Sequence, residues 1–108
     1  MTECIFCKIA NKEMPANIIY EDDSLIAFHD IFPKANVHFL IIPKRHIGSM
    51  LDLQETDQSL IGHIMLTANL LAKKLGLVDG YKINIHNGAK GGQEVFHLHV
   101  HVMSGQAK

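Results

Sequence analysis

Bulk charge is the first thing this sequence lacks. Ten Lys and Arg stand against 11 Asp and Glu, a net charge of −1, and neither sign forms a block. A protein that grips a nucleic-acid backbone needs a basic face, so nucleic acid is not an expected partner. Long apolar runs are missing as well. Phe39 to Ile42, closed by Pro43, is the longest strongly apolar stretch. It is far too short to span a membrane. The opening Met1-Thr2-Glu3-Cys4 has neither the basic start nor the apolar run of a secretory signal. These absences predict a soluble, cytoplasmic protein with no membrane partner. Cysteine is sparse, with only Cys4 and Cys7. In a reducing compartment two such residues read as thiols or metal ligands rather than a structural disulfide. Repeats and low-complexity segments are absent too. The 108 residues make one domain, 1–108, and 47% hydrophobic content supplies a small core. A core that small gains from dimerisation.

Histidine is what the chain has in excess, with eight. Three fall in one run, His97-Leu98-His99-Val100-His101-Val102-Met103. A period of two is the pattern of a half-buried strand. Leu98, Val100 and Val102 are then core residues, and His97, His99 and His101 share the other face, spaced about 6.5–7 Å apart. Imidazoles so placed act as proton donors, acceptors, nucleophiles or metal ligands near neutral pH. Taken alone, the run leaves a metal site and a catalytic strand both open.

The preceding loop, Asn87-Gly88-Ala89-Lys90-Gly91-Gly92-Gln93, is rich in glycine. Glycines let successive N–H groups converge on an anion, although a plain hairpin loop has the same composition. Followed directly by the histidines, it points to a histidine attacking phosphorus while its neighbours steady the charge.

Elsewhere the pattern predicts an α+β domain, an antiparallel sheet of about five strands carrying one long helix and a short N-terminal helix. The short helix is Cys4 to Ala10. Ile18–Tyr20 and Leu25–His29 read as strands around the polar turn 21–24. Ile31 to Asn36 reads as a loop. His38–Ile42 reads as a central strand covered on both faces. Leu60, Ile61, Ile64, Met65, Ala68, Leu71, Ala72 and Leu75 follow helical spacing, with Thr56 or Asp57 as cap and Gly76 as left-handed exit. Gly62 inside that helix implies a close backbone contact, a dimer interface being one candidate. His63 falls off the apolar stripe, on the surface. Tyr81–His86 and Val95–Val102 complete the sheet. Cys4-x-x-Cys7 alone fits a redox pair, half a zinc site or two inert thiols. Asp30, taken bare, is a turn or cap residue, and His38 a satisfied strand-end residue.

The run GGQEVFHLHVHVM resembles the histidine-triad family. So do Tyr20-Glu21-Asp22-Asp23, Ala27-Phe28-His29-Asp30-Ile31 and His38-Phe39-Leu40-Ile41-Ile42-Pro43-Lys44-Arg45-His46, which look like its nucleotide-binding branch. The resemblance spans nearly the whole chain. It implies a nucleoside phosphoramidate hydrolase acting on a purine nucleotide such as AMP or GMP. His99 is then the nucleophile and forms a nucleotidyl intermediate. His101 holds the phosphate, and His97 completes the catalytic set. Gln93 and the backbone of Gly92 bind phosphate oxygens, Asp30 binds the ribose, and Phe28 and Ile31 wall the base. A carbonyl near Ile85 is expected to fix the tautomer of His99. The chemistry needs no metal, whereas a structural zinc is implied on Cys4, Cys7, His46 and His97. A homodimer is implied as well. The sequence departs from the branch at His86, which stands in a phosphate-positioning place usually held by Asn, and at Glu94, where animal relatives carry Ser. Two other readings stay open: a dinucleoside polyphosphate hydrolase, and a nucleotide-binding scaffold without turnover.

Overall fold

The computed structural model describes residues 4–107. Met1 to Glu3, read above for signal character, lie outside them. Helix α1 (Ile5–Ala10) is followed by strands β1 (Ile18–Glu21), β2 (Leu25–His29) and β3 (Ala35–Pro43). Helix α2 (Gln58–Lys74) and strands β4 (Lys82–Asn84) and β5 (Val100–Ala107) complete the chain. The five strands form one antiparallel sheet in the order β1-β2-β3-β5-β4.

Strand β3 organises the layers. Its side chains alternate between faces, and both faces are covered. Phe39 and Ile41 pack with Ile64, Ala68 and Leu71 of α2, together with Val100 and Val102 of β5. Leu40 and Ile42 point the other way, onto Phe6 and Ile9 of α1. Because Leu40 pairs with His101 across the ladder, His101 shares the face that α1 covers. The long helix therefore backs the sheet, and the short one flanks the histidines.

Local contacts explain the elements. At the β1–β2 turn, Asp22 Oδ1 accepts from the backbone N–H of Ser24 and of Leu25, both at 2.8 Å. The other oxygen accepts from Tyr20 Oη at 2.6 Å and meets His63 Nε2 at 2.6 Å. Burial pushes the Asp22 carboxyl up, but these hydrogen bonds outweigh it and hold the group far below the usual carboxylate range. His63 is thus a tie between helix and turn as well as a surface residue. Gly76 leaves α2 with φ of 83°, the left-handed exit its position predicts. Asp57 sits at the N-cap of α2 but gives it no side-chain bond. Its carboxylate accepts from Arg45 and from the Gln54 backbone instead.

Several boundaries differ from the sequence reading. Strand β3 starts at Ala35, inside the predicted loop, and β4 keeps only Lys82–Asn84 of the predicted Tyr81–His86. Strand β5 begins at Val100, not Val95. The β3–β5 ladder stops at Ile41↔Val100. Upstream, the chain is pinned by individual bonds: the Leu98 N–H donates to Ile47 O at 2.6 Å, and the His97 ring meets Pro43 O at 2.8 Å. Leu98 is buried like Val100 and Val102, but His97 and His99 are buried as well, so upstream of the ladder burial no longer alternates. Gly62 stays exposed, and among the described residues nothing outside its own helix lies where its side chain would begin, so no contact with them accounts for it.

Candidate active site

A cavity of about 730 Å³ opens between α1 and the histidine face of the sheet. That volume suits a small-molecule ligand. Phe6, Ile9, Phe28 and Leu40 give it an apolar wall, and His86, Gly92, His99 and His101 line it too. Asp30 and Ile31 lie on its border. Of the residues predicted to bind nucleotide, all but Gln93 line this cavity. Ile31 is a rim residue, 83% exposed, while Phe28 is buried.

The ring orientations follow from partners that can play only one role. His99 Nδ1 lies 2.7 Å from the carbonyl oxygen of His97. A carbonyl only accepts, so Nδ1 carries the proton and Nε2 keeps its lone pair. The tautomer is therefore fixed two residues upstream, not by the strand around Ile85. Phe6 packs edge-on against the same ring with centroids 5.0 Å apart. Burial lowers the pKa of His99, which the His97 carbonyl only partly offsets, so the ring is neutral at pH 7.

His101 is oriented by a relay that the sequence reading missed. The backbone N–H of Lys34 donates to His38 Nδ1 at 3.0 Å. His38 must then hold its proton on Nε2, which lies 2.9 Å from His101 Nδ1 and 3.3 Å from Asp30 Oδ2. His101 accepts at Nδ1, which leaves Nε2–H as a donor. Burial, and then the neighbouring His99, His38 and His86, pull the His101 pKa down to about 4. Burial also lowers His38, against the pull of Asp30. Neutral His99 thus offers a lone pair where neutral His101 offers an N–H. Parity could have found His38: it shares a face of β3 with Leu40, the partner of His101.

Asp30, His38 and His101 also lie close enough to share a cation. The Lys34 N–H argues against it. A metal on His38 Nε2 would send the ring proton to Nδ1, against another donor. The trio is built as a hydrogen-bond chain.

Asp30 Oδ1 accepts from the Phe32 N–H at 2.8 Å, and the carboxylate retains lone pairs for a diol. His86 faces His101 at 5.3 Å between centroids, and neither of its nitrogens has a hydrogen-bond partner among the described residues. Its imidazole can serve a ligand where the resemblance puts Asn.

Gln93 is a correction. It is buried, and its Nε2 donates to Gly48 O at 2.7 Å and to Val95 O at 2.9 Å, while Oε1 accepts from the Gly88 N–H at 2.8 Å. The amide is a strut that holds the glycine loop, and its two N–H groups are spent on protein carbonyls instead of phosphate. Gly92, at φ 86°, turns the loop into the cavity wall.

His97 is wholly buried and faces away from the cavity. Its Nε2–H donates to Pro43 O, which leaves the Nδ1 lone pair directed at Cys4 Sγ (3.3 Å), Cys7 Sγ (3.5 Å) and His46 Nδ1 (3.2 Å). Cys7 Sγ and His46 Nδ1 are 3.2 Å apart. A tetrahedral zinc with N and S ligands has edges of about 3.3–3.8 Å, from bond lengths of about 2.0–2.3 Å. The four donors nearly match that size, and their ligand atoms all lie within 4.8 Å of one another. Cys4 caps α1 through its sulfur, which accepts from the Cys7 N–H at 3.3 Å. Burial, then Cys4, push the Cys7 thiol up to about 11. A divalent cation would reverse that preference by stabilising thiolate. The donor set therefore fits a structural zinc, and none of its four residues lines the cavity of His99 and His101.

Comparison with known proteins agrees with this geometry. Residues 11–108 match the family model described as HIT domain. The chain is 50% identical over 103 residues to Protein HitA of Neisseria gonorrhoeae, covering 95% of this chain and 96% of that one. It superposes on the crystal structure of a HIT family hydrolase from Legionella pneumophila with a TM-score of 0.94 and 43% identity, covering 96% and 94% of the two chains. A histidine triad nucleotide-binding protein from Candida albicans gives 0.84 and 33%, covering 93% of this chain and 73% of that one.

Proposed function

The chain belongs to the HIT-domain family, and on that premise we propose that it is a nucleotide-binding hydrolase that cleaves purine nucleoside phosphoramidates. One observation carries the reading. His99 is tied at Nδ1 to the His97 carbonyl, which directs its Nε2 into a nucleoside-sized cavity. His99 Nε2 attacks phosphorus, the P–N bond to the amine breaks, and the departing nitrogen takes up a proton. His101 Nε2–H and the backbone of Gly92 hold phosphoryl oxygens. Water then cleaves the P–N bond to His99 and releases the nucleoside monophosphate. Asp30 holds the ribose diol, and Phe28 and Ile31 flank the base.

The zinc on Cys4, Cys7, His46 and His97 belongs to this proposal as a structural clamp that ties the N-terminus to the sheet. So does a homodimer. Gly62, Leu66 and Leu70 recur at four-residue spacing on α2, and all three are exposed. Such a stripe suits a second copy of the chain.

Dinucleoside polyphosphate cleavage is a second reading. Lys34 and Lys82 line a groove that adjoins His101, and they would suit an anionic leaving group. The test compares adenosine phosphoramidate and diadenosine polyphosphate as substrates of wild type and His99→Ala. Turnover of the phosphoramidate, lost in the variant and accompanied by a trapped adduct on His99, is the expected result. Faster cleavage of the polyphosphate would transfer the proposal to the second reading. Binding of AMP with no turnover of either would make the protein a nucleotide-binding module.

A further inference from the structure

Glu94 has no task in the mechanism above. It lies on the loop that carries Gly92, its side chain is exposed, and it lines the same cavity as His99. It makes no hydrogen bond or ion pair with any described residue. The residue is also well placed by its neighbours. Gln93 before it is buried and anchored by three side-chain hydrogen bonds, and Val95 after it is held through its carbonyl. The carboxylate is thus presented from a fixed backbone.

A free carboxylate beside a phosphate site is a puzzle of charge. The cavity already holds Asp30, whose oxygens face the Phe32 N–H and His38. Among the described residues its one formal cation is Lys34. A bound nucleoside phosphoramidate brings another negative charge. With two carboxylates against one ammonium, a neutral leaving group leaves that charge uncompensated near Glu94. A leaving group with its own positive charge does not. Like-charge repulsion is felt over about 10 Å at ordinary salt, so the effect needs no direct contact with phosphate.

We propose that Glu94 is a specificity residue that selects phosphoramidates whose leaving amine carries a second, permanently protonated amino group. The proposal rests on the phosphoramidase reading. The carboxylate pairs with the distal ammonium and takes no part in bond breaking. It draws cationic substrates to the cavity and disfavours polyphosphate leaving groups.

Two adenosine 5′-phosphoramidates test this, one of 1,4-diaminobutane and one of n-pentylamine. They differ by a terminal ammonium in place of a methyl group. Wild type is expected to favour the diamine compound in kcat/KM by about five-fold or more at low salt, in line with a partly exposed ion pair. That preference should shrink as ionic strength rises from 0.05 to 0.5 M and collapse towards one in Glu94→Gln, while Glu94→Asp retains part of it. Equal kcat/KM for the two compounds in wild type overturns the inference. So does a Glu94→Gln variant that slows both equally, because the carboxylate would then serve structure or proton transfer. Failure of wild type to cleave either compound, with no adduct on His99, removes the phosphoramidase reading and this inference with it.

Discussion

The carbonyl oxygen of His97 stands 2.7 Å from Nδ1 of His99, and the ring on that same His97 points the opposite way, into the Cys4–Cys7–His46 cluster. One residue therefore sets the tautomer of the proposed nucleophile with its backbone and closes the proposed metal clamp with its side chain. Phe6 lies between the two cysteines in sequence and packs on both rings, at 6.0 Å from His97 and 5.0 Å from His99. Disturbing the clamp should disturb the nucleophile.

Metal content tests the clamp directly. Purified wild type is expected to carry about one zinc per chain by elemental analysis, and Cys7→Ala or His46→Ala far less. Chelation should lower the thermal midpoint, because binding energy at such a site is folding energy. A wild type with under a tenth of an equivalent, after growth in zinc-replete medium, would end the clamp proposal.

His38 should behave as a positioning residue. His38→Ala removes the donor that keeps Nε2–H on His101, and kcat/KM should fall about ten-fold or more with a change in the shape of its pH profile. His38→Gln, whose amide can still donate to His101, should recover part of the loss. Identical pH profiles for wild type and both variants would show that the relay to His101 has no catalytic consequence.

Gln93 separates a strut from a phosphate ligand. Gln93→Ala leaves the Gly88 N–H, Gly48 O and Val95 O without their partner, so stability should drop by about 2–3 kcal/mol. Urea unfolding measures this. A variant with unchanged stability and a raised KM would return Gln93 to the phosphate.

Acid should destabilise the fold through its imidazoles. His101 titrates near 4 when folded, and near the ordinary value of about 6.5 when unfolded. Between those values the unfolded state binds more protons, so stability is full above about pH 6.5 and is lost as pH falls towards 4. His38, His97 and His99 are lowered in the same direction by burial. Urea midpoints at pH 7.0, 5.5 and 4.5 should decline steadily in the metal-free protein, with a shallower decline in His101→Gln. A flat series would contradict the burial of these rings.

Local chemistry was legible in the order of residues. Alternation about Val100 put Leu98, Val100 and Val102 inside and His97, His99 and His101 on the other face; His99 and His101 do line the cavity, whereas the His97 ring turns to Cys4, Cys7 and His46 instead. Helical spacing from Leu60 to Leu75 and the glycine at 76 marked α2 and its end. The continuous apolar run Phe39–Ile42 announced a strand covered on both sides, because a chain segment with no polar face has nowhere else to go. These are short-range consequences of side-chain periodicity and backbone preference, which the sequence carries in full.

What only the tertiary structure decided is which partner each polar group meets. Nothing in the order of residues says that Gln93 spends its amide on Gly48, or that His97 turns its ring away from the cavity while lending it a carbonyl. Nor does it say that a backbone N–H at Lys34 dictates the proton on His101 by way of His38. Those facts depend on distances of about 3 Å between residues up to 93 positions apart. Hydrogen bonding is directional and short in range, so such pairings exist only once packing has brought the strands together. The residues fixed the available chemistry by themselves, and the packing decided which nitrogen performs it.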